Sequence, residues 1–243
     1  MGRLDGKVAV ITGSSGGIGT ATAERLAAEG AVVVGVDVTG DADFAVDVTD
    51  EDAVRDLYAA VRERHGRIDV LFNNAGISPI EDASVLETGL DAWRRVQDTN
   101  LTSVYLCCKH GIPHLLETGG GSVINTASFV AVVGAATSQI SYTASKGGVL
   151  ALSRELGVEF AKRGVRVNAL CPGAVDTPLL RELYAKDPEA AARRLVHVPM
   201  GRFAEASELA NAVLFLASDE SSYVTATTFM VDGGISAAYV TPL

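Results

Sequence analysis

A chain of 243 residues, 48% hydrophobic and 21% charged, is long enough for one sizeable core and falls where α/β folds run as single units. Its formal net charge of -10, with no basic stripe, argues against binding a phosphate backbone, so nucleic acid is not an expected partner. No apolar run reaches the length of a membrane span, and the first residues lack the apolar stretch of a secretory signal. Cys107 and Cys108 are adjacent and Cys171 stands alone, which is no disulfide framework and fits a reducing cytosol, hence a cytoplasmic protein. His65, His110, His114 and His197 show no ligand spacing, and no metal is expected.

Residues 7–12 are a short, β-branched apolar run and read as a strand buried on both faces. T-G-S-S-G-G-I-G follows at 12–19, then an Ala/Glu/Arg/Leu-rich helix over 20–29 that Gly30 stops. In a strand–loop–helix setting such a loop binds phosphate. Its glycines let backbone approach a diphosphate, and the helix start offers free N–H groups and the positive end of a dipole. A plain flexible turn is the alternative, and the flanking strand and helix argue against it.

Residues 31–37 form a second strand ending in Asp37. A carboxylate there accepts hydrogen bonds from an adenosine ribose and repels a 2′-phosphate. No Lys or Arg lies in the glycine loop to offset that repulsion, so NAD is expected over NADP, with Asp41 and Asp43 as competing acids nearby. Residues 44–48 read as a third strand, and Thr49-Asp50-Glu51 start an amphipathic helix that runs to about His65. Residues 68–72 are a fourth strand, left through the turn Asn73-Asn74-Ala75-Gly76. Residues 91–117 carry a helical pattern with Leu101, Val104, Tyr105, Cys108, Ile112 and Leu115 on one apolar face and Asn100 as a buried polar residue.

Residues 121–128 are a fifth strand with Ser128 at its carboxyl end, the edge where open parallel sheets bind ligands. The next helix, 141–163, opens with Tyr142 and Lys146, stacked one turn apart on one face. A phenol near a fixed ammonium is a proton donor and acceptor usable near neutral pH. Such pairs also arise by chance, so their weight rests on the cofactor loop upstream. Residues 165–170 are a sixth strand broken by Cys171-Pro172-Gly173. A mixed segment follows, with a polar helix over 179–195 and a substrate loop over about 178–205. Residues 205–217 are helical, and 228–234 give a seventh strand and turn. The βα alternation predicts one doubly wound parallel sheet of about seven strands with helices on both faces.

In order along the chain, the glycine loop at 12–19, Asp47-Val48, N-N-A-G at 73–76, Asn100, N-T-A-S ending at Ser128, Y-T-A-S-K at 142–146 and P-G-A-V-D-T at 172–177 resemble the short-chain dehydrogenase/reductase family over essentially the whole length. The look is nearest its 3-oxoacyl-thioester reductase branch. The resemblance implies a single Rossmann-type domain and hydride transfer between a nicotinamide and a secondary alcohol or ketone. It makes Tyr142 the general acid/base, Lys146 the residue that lowers the tyrosine pKa and bonds the nicotinamide ribose, Ser128 the holder of the substrate oxygen, and Asn100 the anchor of a water leading to solvent. It assigns Gly13, Ser15, Gly17, Ile18 and Gly19 to the diphosphate turn, Asp47 and Val48 to the adenine, Asn74, Ala75 and Gly76 to the adenosine side, and Pro172, Gly173, Val175 and Thr177 to the nicotinamide. Gly16 stands where NADP-dependent members often carry a basic residue.

The Ser128–Tyr142 interval is one residue longer than usual, an extra residue placed in the loop 135–140. Pocket candidates are Phe129, Val130, Ala136, Gln139, Leu179, Leu180 and Tyr184, for a small alcohol or ketone. The family is usually tetrameric, so self-association through the 91–117 and 141–163 helices is expected, with the apolar tail 237–243 reaching a neighbour. Two other readings compete: an NADPH-dependent 3-oxoacyl-thioester reductase, as fatty-acid synthesis members generally are, and a non-catalytic NAD(H) sensor, which would have no use for the full Asn100, Ser128, Tyr142 and Lys146 set.

Overall fold

The computed structural model describes residues 2–135, 137–177, 180 and 188–239. Elements run β1 (Val8–Thr12), α1 (Gly17–Ala28), β2 (Val32–Asp37), β3 (Phe44–Ala45), α2 (Glu51–His65), β4 (Val70–Asn73), α3 (Leu90–Gln97), α4 (Ser103–Glu117), β5 (Gly121–Thr126), α5 (Ile140–Phe160), β6 (Val165–Pro172), β7 (Val175–Asp176), α6 (Pro188–Leu195), β8 (Ala204–Glu205), α7 (Ala206–Ala217) and β9 (Thr228–Val231). Seven strands pair in parallel in the order β3-β2-β1-β4-β5-β6-β9. The doubly wound sheet is as expected. An additional two-stranded parallel ribbon, β7 with β8, was not foreseen.

Period-two alternation builds the two cores. Val8 and Val10 of β1, Leu71 of β4 and Val123 of β5 join Val54, Leu57 and Tyr58 of α2 and Val104 and Cys108 of α4 on one face. Ala9 and Ile11, Val70 and Phe72, and Ile124 join Leu26 of α1 and Leu209, Val213 and Leu214 of α7 on the other. Because both faces are covered, the strands read as continuous apolar runs. The chain reverses direction across the sheet between β1 and β4, which opens a crevice above their carboxyl ends.

Several boundaries differ from expectation for local reasons. Helix α1 begins at Gly17, inside the glycine loop. The third strand keeps only two residues, because Asp47 turns the chain by accepting Thr49 N (2.9 Å) and Thr49 Oγ1 (2.7 Å), and Asp50 then caps α2 by accepting Ala53 N. Strand β6 continues through Pro172. The N–H groups of Ala169 and Gly173 donate to Thr227 O, just before β9, and to Val231 O at its end, so Pro172 faces the side where β5 pairing has ended at Leu170, and its missing donor costs no ladder bond. The helix expected over 91–117 is interrupted by a π-helical turn at Asp98–Thr102. Tyr105 is 47% exposed and lies off the buried face assigned to it. Of the helix expected over 179–195, α6 supplies the last eight residues, while 179 and 181–187, with the pocket candidates Leu179 and Tyr184, lie outside the described residues, as do Ala136 and residues 240–243.

Candidate active site

The glycine loop closes on the crevice. Gly13 takes φ +66, and a Cβ there would sit 2.9 Å from Ala75 Cα, so loop and β4 turn meet backbone to backbone. A Cβ on Gly19 would lie 2.1 Å from Gly13 O, which requires bare glycine where α1 leaves the loop. Thr12 Oγ1 accepts from Asn74 N (3.0 Å) and Ala75 N (3.2 Å), and Asn74 Nδ2 donates to Thr12 O and Gly13 O (both 3.3 Å). Gly17 and Ile18 form the first turn of α1, and Ile18 packs on the core beneath. The residues present therefore fit a dinucleotide: a cradle without side chains, at a helix start, over the sheet crevice.

Asp37 ends β2 beside that loop. Its Oδ2 accepts Ser15 N at 3.0 Å, and its Oδ1 accepts Thr39 N (3.1 Å) and Thr39 Oγ1 (3.3 Å). The competing acids resolve by geometry: Asp43 accepts Gly35 N at 2.8 Å, and Asp41 is exposed in the turn. Val48 and Val175 are both core residues, 7% exposed. Asp47 spends its carboxylate on its own turn. Gly173 lies against Asp232, and Thr177 accepts Leu180 N (3.3 Å).

Ser128, just past β5, is buried and accepts Val130 N at 3.4 Å. Val130 is buried and Phe129 half-buried. Lys146 is 3% exposed, and its Nζ donates to Thr126 O at 2.7 Å and lies 5.6 Å from the centre of the Tyr142 ring. Among the described residues no carboxylate pairs with it, and burial lowers its pKa from 10.5 to about 8. Burial also pushes the Tyr142 phenol above 10, and the Ser128 hydroxyl pulls it back. Here the counterweight to the phenol's desolvation is Ser128, whereas the resemblance gives that part to Lys146.

Asn100 is fully buried within the π-helical turn. Its Oδ1 accepts Ile77 N (2.8 Å), and its Nδ2 donates to Ile77 O (2.9 Å) and Ser145 Oγ (3.2 Å). The extra residue of such a turn re-aims side chains, and it points this amide at α5. A Cβ on Gly76 would lie 3.3 Å from Asn100 Oδ1 and 3.4 Å from Lys146 Nζ, so glycine leaves an opening between them. Sequence reasoning missed Asp82, which accepts Ser141 N and Tyr142 N. No local pattern could have found it, since its partners lie 59 and 60 residues away. It also missed the buried amide pair beneath the site, where Asn73 Nδ2 donates to Asn125 Oδ1 (2.8 Å) and Asn125 Nδ2 to Ser153 Oγ (3.0 Å).

A dinucleotide cradle joined to a buried serine and lysine and a half-buried tyrosine defines an oxidoreductase site. The chain belongs to the short-chain dehydrogenase/reductase family, and the family model described as enoyl-(acyl carrier protein) reductase matches residues 13–236. It is similar to the 3-oxoacyl-[acyl-carrier-protein] reductase FabG of Thermotoga maritima, 38% identical over 96% of this chain and 99% of that one. The cis-4-hydroxycyclohexanecarboxylate dehydrogenase of Sinomonas cyclohexanicum is 42% identical, over 95% of this chain and 97% of its own. The crystal structure of levodione reductase superposes with a TM-score of 0.90 at 39% identity, covering 98% of this chain and 100% of that one. The protein is thus an oxidoreductase of alcohol or ketone substrates. Among the described residues no helix is long and apolar enough to cross a membrane.

Proposed function

We propose that this protein is an NAD(H)-dependent dehydrogenase that oxidises a compact cyclic secondary alcohol. The observation that carries the cofactor half is Asp37, whose carboxylate is fixed by three donors from Ser15 and Thr39 beside the glycine loop. Two carboxylate oxygens offer about four acceptor sites, so one remains for a ribose hydroxyl. A 2′-phosphate would meet this anion beside two stretches, 13–19 and 38–43, that hold no Lys or Arg to offset it. Relatives named for 3-oxoacyl reduction and for a cyclic alcohol both exist; Asp37 favours the oxidative, NAD-linked reading.

In this reading Ser128 Oγ holds the substrate oxygen and Tyr142 Oη takes its proton. A bound nicotinamide supplies the hydride acceptor. Lys146 holds positive charge near the phenol below pH about 8, and the bare Gly76 lets backbone pass close to both Asn100 Oδ1 and the Lys146 ammonium, where a water linking them would sit. Assembly as a homotetramer through α4 and α5 is part of the proposal, supported by the exposed apolar residues Tyr105 and Val158 on those helices; a monomer by mass in solution refutes it. Titration with NADH and NADPH in parallel, followed by cofactor fluorescence, tests the cofactor reading. NADH binding at least about ten-fold tighter, or about 1.4 kcal/mol, is expected. Tighter NADPH binding overturns it and makes 3-oxoacyl-thioester reduction the leading reading. Turnover of cis-4-hydroxycyclohexanecarboxylate with NAD tests the substrate class.

A further inference from the structure

We propose that Asp82 is a positioning residue for Tyr142, a carboxylate brought in from a distant loop to hold the first turn of the catalytic helix. The proposal rests on the reading of Tyr142 as the proton-transfer group. A helix start leaves N–H groups without intrahelical partners. At α5 the cap residue, Gln139, makes no side-chain cap, and Thr143 N donating to Gln139 O at 3.0 Å begins the helical pattern. The three preceding donors all go to one loop. Ile140 N donates to Ala83 O (3.2 Å), Ser141 N to Asp82 Oδ1 (2.8 Å), and Tyr142 N to Asp82 Oδ2 (2.7 Å).

Asp82 is 6% exposed, and its charge sits at the positive end of the α5 dipole, where charge-assisted bonds are short and strong. The loop that carries it is held in turn. Ile77 is clasped through both backbone groups by Asn100, Asp82 N donates to Pro79 O (3.1 Å), and Ala83 N donates to Thr88 Oγ1 (2.9 Å). Gln97 Nε2 donates to Ser141 O at 2.9 Å from the far side. The backbone nitrogen of Tyr142 is thus tied by one side chain to the segment that Asn100 orients. Asn100 and Tyr142 keep their spacing through Asp82 as well as through the Asn100–Ser145 bond. Loss of a helix cap alone predicts a less stable helix. Loss of a positioning group predicts a phenol held off its productive place, with the chemical step slowed in molecules that still bind nucleotide.

The test is Asp82→Asn, which keeps the shape and removes one acceptor. Asp82→Glu serves as second variant if the first does not accumulate folded. Three readouts are taken: NADH affinity by fluorescence, kcat and KM with the carbinol-deuterated and undeuterated alcohol, and amide exchange at Ser141 and Tyr142. Expected are NADH affinity within two-fold of wild type, exchange about ten-fold faster at those two amides, kcat lower by roughly 10- to 100-fold with little change in KM, and a larger isotope effect on kcat. Unchanged amide exchange overturns the proposal. So does a kcat within two-fold of wild type, or a kcat loss matched by an equal loss of NADH-binding sites. The exchange readout does not depend on turnover, and Tyr142→Phe run alongside separates the cases: turnover surviving in that variant refutes the role of Tyr142, not the anchoring by Asp82.

Discussion

Lys146→Met should make the protein more stable at neutral pH while removing its activity. Carrying the ammonium in a site that lowers its pKa from 10.5 to about 8 costs the fold about 3 kcal/mol at pH 7. Methionine has similar length and no charge, and it forfeits the bond to Thr126 O, which costs about 1–3 kcal/mol. The balance is a gain of about 1 kcal/mol, or about 2–4 °C in Tm for a chain of this size. The pH dependence gives the sharper check. Above pH 8 the folded wild type has released the lysine proton, while the unfolded chain keeps it until about 10.5. The unfolded state therefore binds more protons in that window, and wild-type stability rises with pH relative to the variant. By pH 10 the order should reverse, with the variant the less stable by about 1–2 kcal/mol. Other titrating groups are common to both proteins and cancel. Urea unfolding of both at pH 7 and pH 10, at one protein concentration, measures this. A wild type already the more stable at pH 7, or a gap that does not move with pH, refutes the reasoning.

Gly19→Ala should destabilise the protein by about 1–3 kcal/mol, because its methyl would lie 2.1 Å from Gly13 O, and should weaken NADH binding by at least about ten-fold. Gly147→Ala, in α5 with nothing within 4 Å of the added carbon, is the control and should stabilise by about 0.5–1 kcal/mol in the same melt. Thiol reagents should find no reactive cysteine in the native protein at pH 8, since all three are buried, Cys171 is pushed to about 11 and Cys107 to about 12, and Cys108 is raised further still. Three equivalents should react after denaturation, and rapid labelling of the folded protein contradicts the burial.

What could be read from the chain was whatever a local pattern encodes. The strands announce themselves because both faces of the sheet are covered, and the glycine loop because a carbon at Gly13 or Gly19 would strike backbone. Tyr142 and Lys146 share a helix face by spacing alone. The π-helical turn at Asp98–Thr102 was invisible because its 90–117 stretch keeps helical periodicity on either side, and the inserted residue shows only once Asn100 has found Ile77 and Ser145. Asp82 was invisible for the opposite reason. Nothing in its own turn distinguishes it, and its role exists only after the loop and α5 are packed.

Four departures from local rules are gathered at one edge of the sheet. A lysine is buried with no carboxylate beside it among the described residues, a phenol is pushed away from ionising, a helix changes its hydrogen-bond pitch, and another helix is capped from outside its own sequence. Each costs stability or needs support from afar, and β1, β4, β5 and the two cores supply it through elements that obey local propensity. Asn100, Ile77, Asp82 and Ser145 touch one another or α5 in sequence, so a displacement at any of them is felt at Tyr142. Substitutions along that chain should therefore be non-additive in kcat while remaining additive in stability with changes on the opposite face, where α1 packs on α7.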